Sequence, residues 1–160
     1  MQAIVCVSKN WGIGRDGRLL FHLSADLKRF HALTAGKTVI YGYITLLTFP
    51  GEKPLPERRN ILLSRRDISV PGATVAHSIG EAVALAGDDA IVIGGASVYV
   101  ALLDRCDRVF VTAVDAEREA DSYFPDLDHN PAWRRAGESE WFEEKGLRFR
   151  YIDYERVERN

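Results

Sequence analysis

Cysteine is scarce in this chain: Cys6 and Cys106 are the only two among 160 residues. Far apart and set among apolar neighbours, they read as reduced core thiols, not as a disulfide framework. That reading predicts a cytoplasmic protein. No Cys/His spacing suits a metal, because His22, His31, His77 and His129 are scattered. Charge of one sign is also missing: 21 Lys and Arg face 23 Asp and Glu, for a formal net charge of -2. A balance of this kind gives no general attraction to nucleic acid or to an anionic membrane. No apolar run approaches a membrane span. The apolar start, Met1 to Val7, is short and has no basic flank, so it reads as a strand and not as a signal peptide. Repeats, low-complexity tracts and linkers are absent as well. A single domain over residues 1–160 follows, long enough to bury roughly 70% of its unfolded surface.

What the chain does have is concentrated between Trp11 and Phe30. Gly12, Gly14 and Gly17 mark a loop there. Leu19, Leu20, Phe21 and Leu23 should return that loop to a core. Ser24 is a good N-cap, and Ala25 to Thr34 reads as a helix. Asp26 falls in its first turn, with Leu23, Leu27 and Phe30 at helical spacing to form an apolar wall. A carboxylate against apolar residues at a loop-to-helix junction points to chemistry or ligand binding. The plainer alternative is an exposed acid favouring the helix dipole.

Further along, short apolar runs alternate with helical segments. Ala3–Val7, Lys37–Tyr41, Asn60–Ser64, Ala73–Ala76, Asp89–Ile93 and Arg108–Val114 read as strands, mostly buried on both faces. Tyr43–Leu47 and Ser97–Leu103 read as short helices. Ser78-Ile79-Gly80-Glu81 reads as a capping box that opens another. Residues 116–130 read as an acidic, polar loop. Two late segments, Trp133–Glu140 and Leu147–Arg156, alternate apolar and polar residues as antiparallel strands do. The pattern predicts an α/β fold with a mainly parallel sheet.

Three strand ends carry ligand chemistry. Ile93-Gly94-Gly95-Ala96-Ser97 and Tyr41-Gly42-Tyr43-Ile44-Thr45 both run strand, glycine, helix start, hydroxyl. Free N–H groups at such starts suit phosphates, although Gly-Gly also serves as an ordinary turn and the G-x-G-x-x-G spacing is absent. Ser64-Arg65-Arg66 adds cations able to hold a 2′-phosphate; a solvated basic turn is the alternative. Arg65 should be the main contact, with Arg66 directed to solvent. Thr112, inside an apolar strand, is either a simple β-former or a donor to Asp26. Arg58, after Pro54-Leu55-Pro56-Glu57, is either a surface arginine or a clamp for a substrate carboxylate.

Eight segments in this order carry a resemblance over nearly the full length: G-I-G-x-x-G-x-L at Gly12–Leu19, D-L-x-x-F at Asp26–Phe30, T-x-G-K-T-V-I at Thr34–Ile40, P-L-P-x-R-x-N at Pro54–Asn60, L-S-R at Leu63–Arg65, I-G-G-x-x-V-Y at Ile93–Tyr99, V-T-x-V-D-A-E at Val111–Glu117 and D-S-Y-F-P at Asp121–Pro125. The chain resembles the dihydrofolate reductases. The resemblance implies an eight-stranded, mainly parallel sheet with an antiparallel C-terminal strand and about four flanking helices. It implies hydride transfer from NADPH to 7,8-dihydrofolate, inhibition by antifolates, and a monomer. Asp26 would hold the pterin and favour its protonation, assisted by Thr112, His22 and Leu20. Ile4, Val5, Leu27, Phe30, Phe49, Leu55, Arg58, Ile93 and Tyr99 would contact substrate. Cys6, Ile13, Gly14, Gly42, Tyr43, Ile44, Thr45, Leu63, Ser64, Arg65, Gly94, Gly95, Ala96, Ser97 and Val98 would contact NADPH. The Gly94–Gly95 peptide is expected to be cis.

Two departures matter. Phe21-His22 stands where the family commonly has Pro-Trp, so His22 either replaces the indole near the pterin or fills space. Tyr43 stands where an arginine usually helps hold the 2′-phosphate. Two other readings stay open: a pyrimidine reductase of the riboflavin pathway on the same fold, and a non-catalytic folate- or nucleotide-binding module.

Overall fold

The computed structural model describes residues 1–157; the last three positions of the expected domain lie outside the described residues. The elements are β1 (Gln2–Val7), β2 (Gly12–Arg15), β3 (Arg18–Leu19), α1 (Ser24–Thr34), β4 (Thr38–Gly42), α2 (Tyr43–Leu46), β5 (Arg59–Leu63), β6 (Ala73–Ala76), α3 (Ile79–Leu85), β7 (Ile91–Gly94), α4 (Ala96–Leu102), β8 (Arg108–Val114), β9 (Ser122–Tyr123), β10 (Trp133–Glu138), β11 (Phe142–Glu144) and β12 (Leu147–Arg156). The main sheet runs β10-β12-β8-β1-β7-β4-β5-β6, with β11 pairing β12, so it has nine strands against the eight expected. Strands β8, β1, β7, β4, β5 and β6 are parallel, and β12 joins β8 antiparallel.

Strand alternation sorts the apolar residues onto two faces. Ala3, Val5, Val7, Ile40, Ile61, Val92, Val109, Val111, Ile152 and Tyr154 share one buried cluster with Val98, Tyr99 and Leu102 of α4. The other face carries two separate clusters. One holds Phe21, Leu23, Val114 and Phe149, with Cys6 and Tyr151 against it. The other holds Val39, Tyr41, Leu46 and Leu62, with Phe49, Leu55 and Ile93 against it. The helices that follow β1 and β4 cross this divided face, whereas α4, which follows β7, packs on the undivided one. Right-handed crossovers require that split once the chain reverses direction along the sheet. The end of β7 is therefore a topological switch point, the place where α/β sheets of this kind take their ligands.

The glycine-rich loop straddles this edge of the sheet. Trp11 and Ile13 belong to the undivided core, and Leu20, Phe21 and Leu23 belong to the divided side. Leu19, expected to help anchor the loop, is 54% exposed. The loop is itself a hairpin: β2 pairs β3 and also β9, which comes from the segment expected to be irregular. Two-residue strands with polar residues carry too little periodicity to be read from the sequence.

Helix α1 starts one residue earlier than expected and is capped differently. Leu23 occupies the N-cap position and offers no side-chain bond. The Glu144 carboxylate accepts instead from Ser24 N (2.7 Å) and Ala25 N (3.1 Å), and also from Ser24 Oγ (3.2 Å). The Ser78 cap of α3 is as expected, accepting from Glu81 N at 3.1 Å, but Glu81 reaches back to His77 N and not to Ser78.

These backbone bonds hold the Glu144 carboxyl below its usual range. A depressed carboxyl stabilises the fold above its unfolded pKa and loses that contribution as pH falls through the folded value. Glu144→Gln should therefore lower the melting temperature at neutral pH and speed amide exchange in the first turn of α1. The difference from the parent should vanish in acid; a constant offset at all pH values would contradict the cap.

Candidate active site

The divided face exposes a row of ladder neighbours. Cys6 of β1 pairs with Thr112 of β8, and Thr112 pairs with Tyr151 of β12. Helix α1 lies over this row, and Thr112 Oγ1 donates to Asp26 Oδ1 at 2.5 Å. Burial pushes the Asp26 carboxyl above its ordinary range; the Thr112 hydroxyl, Arg29 and the Cys6 thiol act in the opposite direction. Burial and the neighbouring Asp26 raise the Cys6 thiol in turn. The Asp26–Thr112 pairing is the one read from the sequence. Cys6, expected on the cofactor side, turns its thiol to Asp26 instead. Such a thiol is a weak donor, and its proton stays on sulfur.

On the rim beyond Asp26, Leu27 is 62% exposed and Phe30 is half-buried. Across from them, Phe49 meets Tyr41 edge-on at 4.9 Å, and Leu55 joins the same cluster. An exposed leucine on α1, together with these apolar groups on the β4–β5 side of the same face, suits a flat, apolar ligand. Ile4 and Ile93 lie on this face of the sheet. Val5 does not: its side chain belongs to the opposite core, which leaves only its backbone for a ligand. The buried Tyr99 hydroxyl donates to Ile4 O at 2.6 Å. It fixes β1 instead of offering a free hydroxyl.

Arg58 is held in place by three contacts. Nε donates to Thr34 Oγ1 (3.0 Å), Nη1 to Pro56 O (3.1 Å) and Nη2 to His31 Nδ1 (3.0 Å). Its guanidinium carbon lies 5.7 Å from the centroid of Phe30. No carboxylate forms a salt bridge with it among the described residues. A cation fixed in this way is prepared for an incoming carboxylate. The loop presenting it is tied down by Asn60, whose importance the sequence did not reveal. Its side chain accepts from Tyr41 Oη (2.8 Å) and Leu55 N (3.0 Å), and donates to Leu55 O (2.9 Å) and Arg58 O (3.1 Å).

The two glycine-marked helix starts touch. A Cβ on Gly94 would come within 2.8 Å of Thr45 Oγ1, and one on Gly42 within 3.2 Å of Val98 Cγ2 and 4.0 Å of Gly95 N. Neither α2 nor α4 has a side-chain cap, and the Gly94–Gly95 peptide is cis, as expected. Ser97 is exposed, and Thr45 and Ala96 are half-buried, around this contact. Tyr43 and Ile44 present exposed side chains at 38% and 64%. Leu63, Ser64 and Arg65 continue the rim from β5. Arg66 is exposed, as expected, and its guanidinium carbon lies 5.7 Å from the Tyr43 ring centroid. The His77 ring also reaches this corner, bonded to Ser64 O at 3.0 Å. A glycine cradle with uncapped N–H groups and a cationic rim fits a dinucleotide carrying an extra phosphate.

The hairpin at the cleft mouth is tied to the segment before β9. Asp16 N donates to Asp121 Oδ2 (2.9 Å), and Asp121 N donates to Gly14 O (3.0 Å). Arg118 donates to Leu20 O and lies 4.5 Å from the Phe21 centroid. Ile13 is 9% exposed in the core, so only its backbone faces outward. His22 is exposed and fills no space.

The profile of the family described as dihydrofolate reductase matches residues 1–156. The chain is 35% identical over 155 residues to a dihydrofolate reductase of Neisseria meningitidis, covering 94% of each. It is 41% identical over 151 residues to one from Mycobacterium tuberculosis, covering 90% of each. Among solved structures it is similar to the Enterococcus faecalis enzyme complexed with NADP(H) and RAB-propyl. That match has a TM-score of 0.87 and 30% identity, covering 98% of this chain and 96% of the other.

Removing the Asn60 amide leaves the buried Tyr41 hydroxyl and the Leu55 backbone unpaired. Asn60→Ala should cost about 2 kcal/mol in a urea melt. A loss within experimental error would show that water replaces these bonds.

Proposed function

The chain belongs to the dihydrofolate reductase family, and we propose that it acts through Asp26 as the anchor and proton-managing group and Arg58 as the clamp for the substrate tail. The reaction is the NADPH-dependent reduction of 7,8-dihydrofolate to 5,6,7,8-tetrahydrofolate. The observation that carries the residue assignment is the half-buried Asp26 carboxylate bonded to Thr112 on the divided face.

Asp26 accepts from N3 and the 2-amino group of the pterin. Thr112 holds the carboxylate by one oxygen and leaves the other for the ring. Burial favours a proton on Asp26 in the free site, and release of that proton as N5 gains one leaves the carboxylate ionised. A ring that becomes cationic beside Asp26 is held more tightly than the neutral ground state, which is the differential binding that catalysis requires. Ile4 and Ile93 edge the ring; Val5 contributes backbone only. Leu27, Phe30, Phe49 and Leu55 pack on the pterin and aminobenzoyl rings, and Arg58 takes the glutamate α-carboxylate. Gly42–Thr45 and Gly94–Ser97 would hold NADPH, whose nicotinamide C4 would supply the hydride for pterin C6. Arg65 and Ser64 hold its 2′-phosphate, with Tyr43 in the place of an arginine. Gly14, Leu20 and His22 lie on the loop that closes the mouth.

Antifolates of the substrate's shape belong in the same cleft. We place the protein in the cytoplasm as a monomer, a reading supported by its free thiols Cys6 and Cys106. Its near-neutral charge favours neither nucleic acid nor membrane as partner, and no described helix is long and apolar enough to cross a membrane.

Asp26→Asn should keep NADPH binding but lose most hydride transfer at neutral pH, measured by NADPH absorbance in single turnovers. Parent hydride transfer should speed up as pH falls; a pH-independent parent rate with full activity in the variant would remove Asp26 from the mechanism. The same variant reads the raised carboxyl through stability. A group with a raised folded pKa contributes most below its unfolded pKa and loses that contribution as pH rises. Asp26→Asn should therefore melt above the parent at neutral pH, and the gap should close in acid.

Arg58→Leu should weaken dihydrofolate by about 2–5 kcal/mol while leaving a pterin without the glutamate tail nearly unaffected, as measured by fluorescence titration. Equal losses for both ligands would make Arg58 a structural residue.

A further inference from the structure

Arg29 follows Asp26 by three residues on α1, so the two share the helix face that covers the sheet. Its guanidinium carbon lies 4.0 Å from the centroid of Tyr151 and 5.9 Å from that of Phe110. Tyr151 is the ladder neighbour of Thr112, the residue that holds Asp26. The row Cys6–Thr112–Tyr151 thus carries the carboxylate over its first two members and the guanidinium over its third. Arg29 is weakly neutralised. Nη2 is 3.5 Å from Asp153 Oδ1, whose side chain is 35% exposed, and Nη1 is buried with no hydrogen-bond partner among the described residues. A buried donor without a partner costs stability. The Arg29 charge is thus held three residues along the helix from the Asp26 carboxylate, with Asp153 as its one salt-bridge partner among the described residues.

We propose that Arg29 is a positioning residue for the reduction: clamped against Tyr151, it sets how readily Asp26 takes up a proton and hence the pH range of hydride transfer. The proposal rests on the role given to Asp26 above. The groups facing that carboxylate come from five elements. Cys6 (β1) sets its thiol beside it and Thr112 (β8) donates its hydroxyl; Glu144 (β11) is a like charge that favours the protonated form; Tyr151 (β12) is a neutral ring. Arg29, on α1 itself, is the positive charge among them. Asp153, also on β12, faces Arg29 and partly offsets it. Arg29 favours the ionised carboxylate, so its removal leaves the proton on Asp26 to higher pH.

Single-turnover hydride transfer, followed with NADPH and its 4-deuterated form, reads the chemical step across the neutral range. In Arg29→Met the midpoint of the pH profile should move up by about one unit. On the alkaline side of the parent midpoint, that makes transfer about tenfold faster than in the parent. Arg29→Gln should behave in the same way, and either neutral variant suffices if the other does not fold. Arg29→Lys, which keeps the charge, should stay near the parent midpoint. A slower rate with an unmoved midpoint in the neutral variants would overturn the proposal and leave Arg29 a packing residue. Asp26→Asn in the same experiment separates the two claims. If it abolishes the profile and the Arg29 variants do not move it, only the Arg29 proposal fails. If it keeps the parent profile, the Asp26 assignment fails and takes the proposal with it.

Discussion

A carboxylate taken largely out of water with one hydroxyl to hold it is the constraint on which the rest of this molecule depends. Asp26 is tolerated because Thr112 meets it at 2.5 Å from the neighbouring layer. Thr112 is in place only because β8 lies between β1 and β12 in a fixed register, since a one-residue slip would turn every side chain to the other face. The divided core follows from the same requirement. Had the Phe21–Phe149 and Tyr41–Leu62 clusters met, the face would be better packed and there would be no cleft for a flat ring. Burial that one continuous core would have supplied is left for the ligand to complete.

The strands were legible where they are buried on both faces. Ala3–Val7, Asn60–Ser64 and Arg108–Val114 are rich in apolar residues and appear within a residue or two of these expected limits. The helices were legible from apolar spacing, from the glycines before α2 and α4 and from the Ser78 cap of α3. The short β2, β3, β9 and β11 were not, because two to four residues of mixed polarity have no detectable period. Capping by Glu144 was invisible for another reason: it joins residues 120 apart, and local rules assign the cap to Ser24.

Within the candidate site, the Asp26–Thr112 bond, and an Arg58 with no carboxylate salt bridge among the described residues, follow from residue type in a matched order. What side chains do for one another does not. Asn60 looked like one more polar residue at a strand start, yet it makes four bonds that shape the Leu55–Arg58 loop. Val5 and Ile13 were expected beside ligands on the strength of their position, but alternation and the hairpin send their side chains into the core. Cys6 stands one residue from Val5, and the same alternation turns it to the carboxylate. The Gly42, Thr45, Gly94 and Val98 contacts explain why two unremarkable glycine turns form one cradle. The closeness is set by strands β4 and β7 lying side by side, which no local window contains.

The cap on α1 bears on the order in which the molecule can be made. Asp26 is synthesised well before the carboxylate that caps its helix and the Tyr151 ring beneath that helix, which come from β11 and β12 more than a hundred residues later. During synthesis α1 begins with bare amides and without its β12 support. Contacts of such sequence separation close late, because loop entropy must be met first. The residues proposed to bind substrate therefore come together only once β11 and β12 have been translated, and a nascent chain that stops short of them presents Asp26 on an uncapped, unsupported helix.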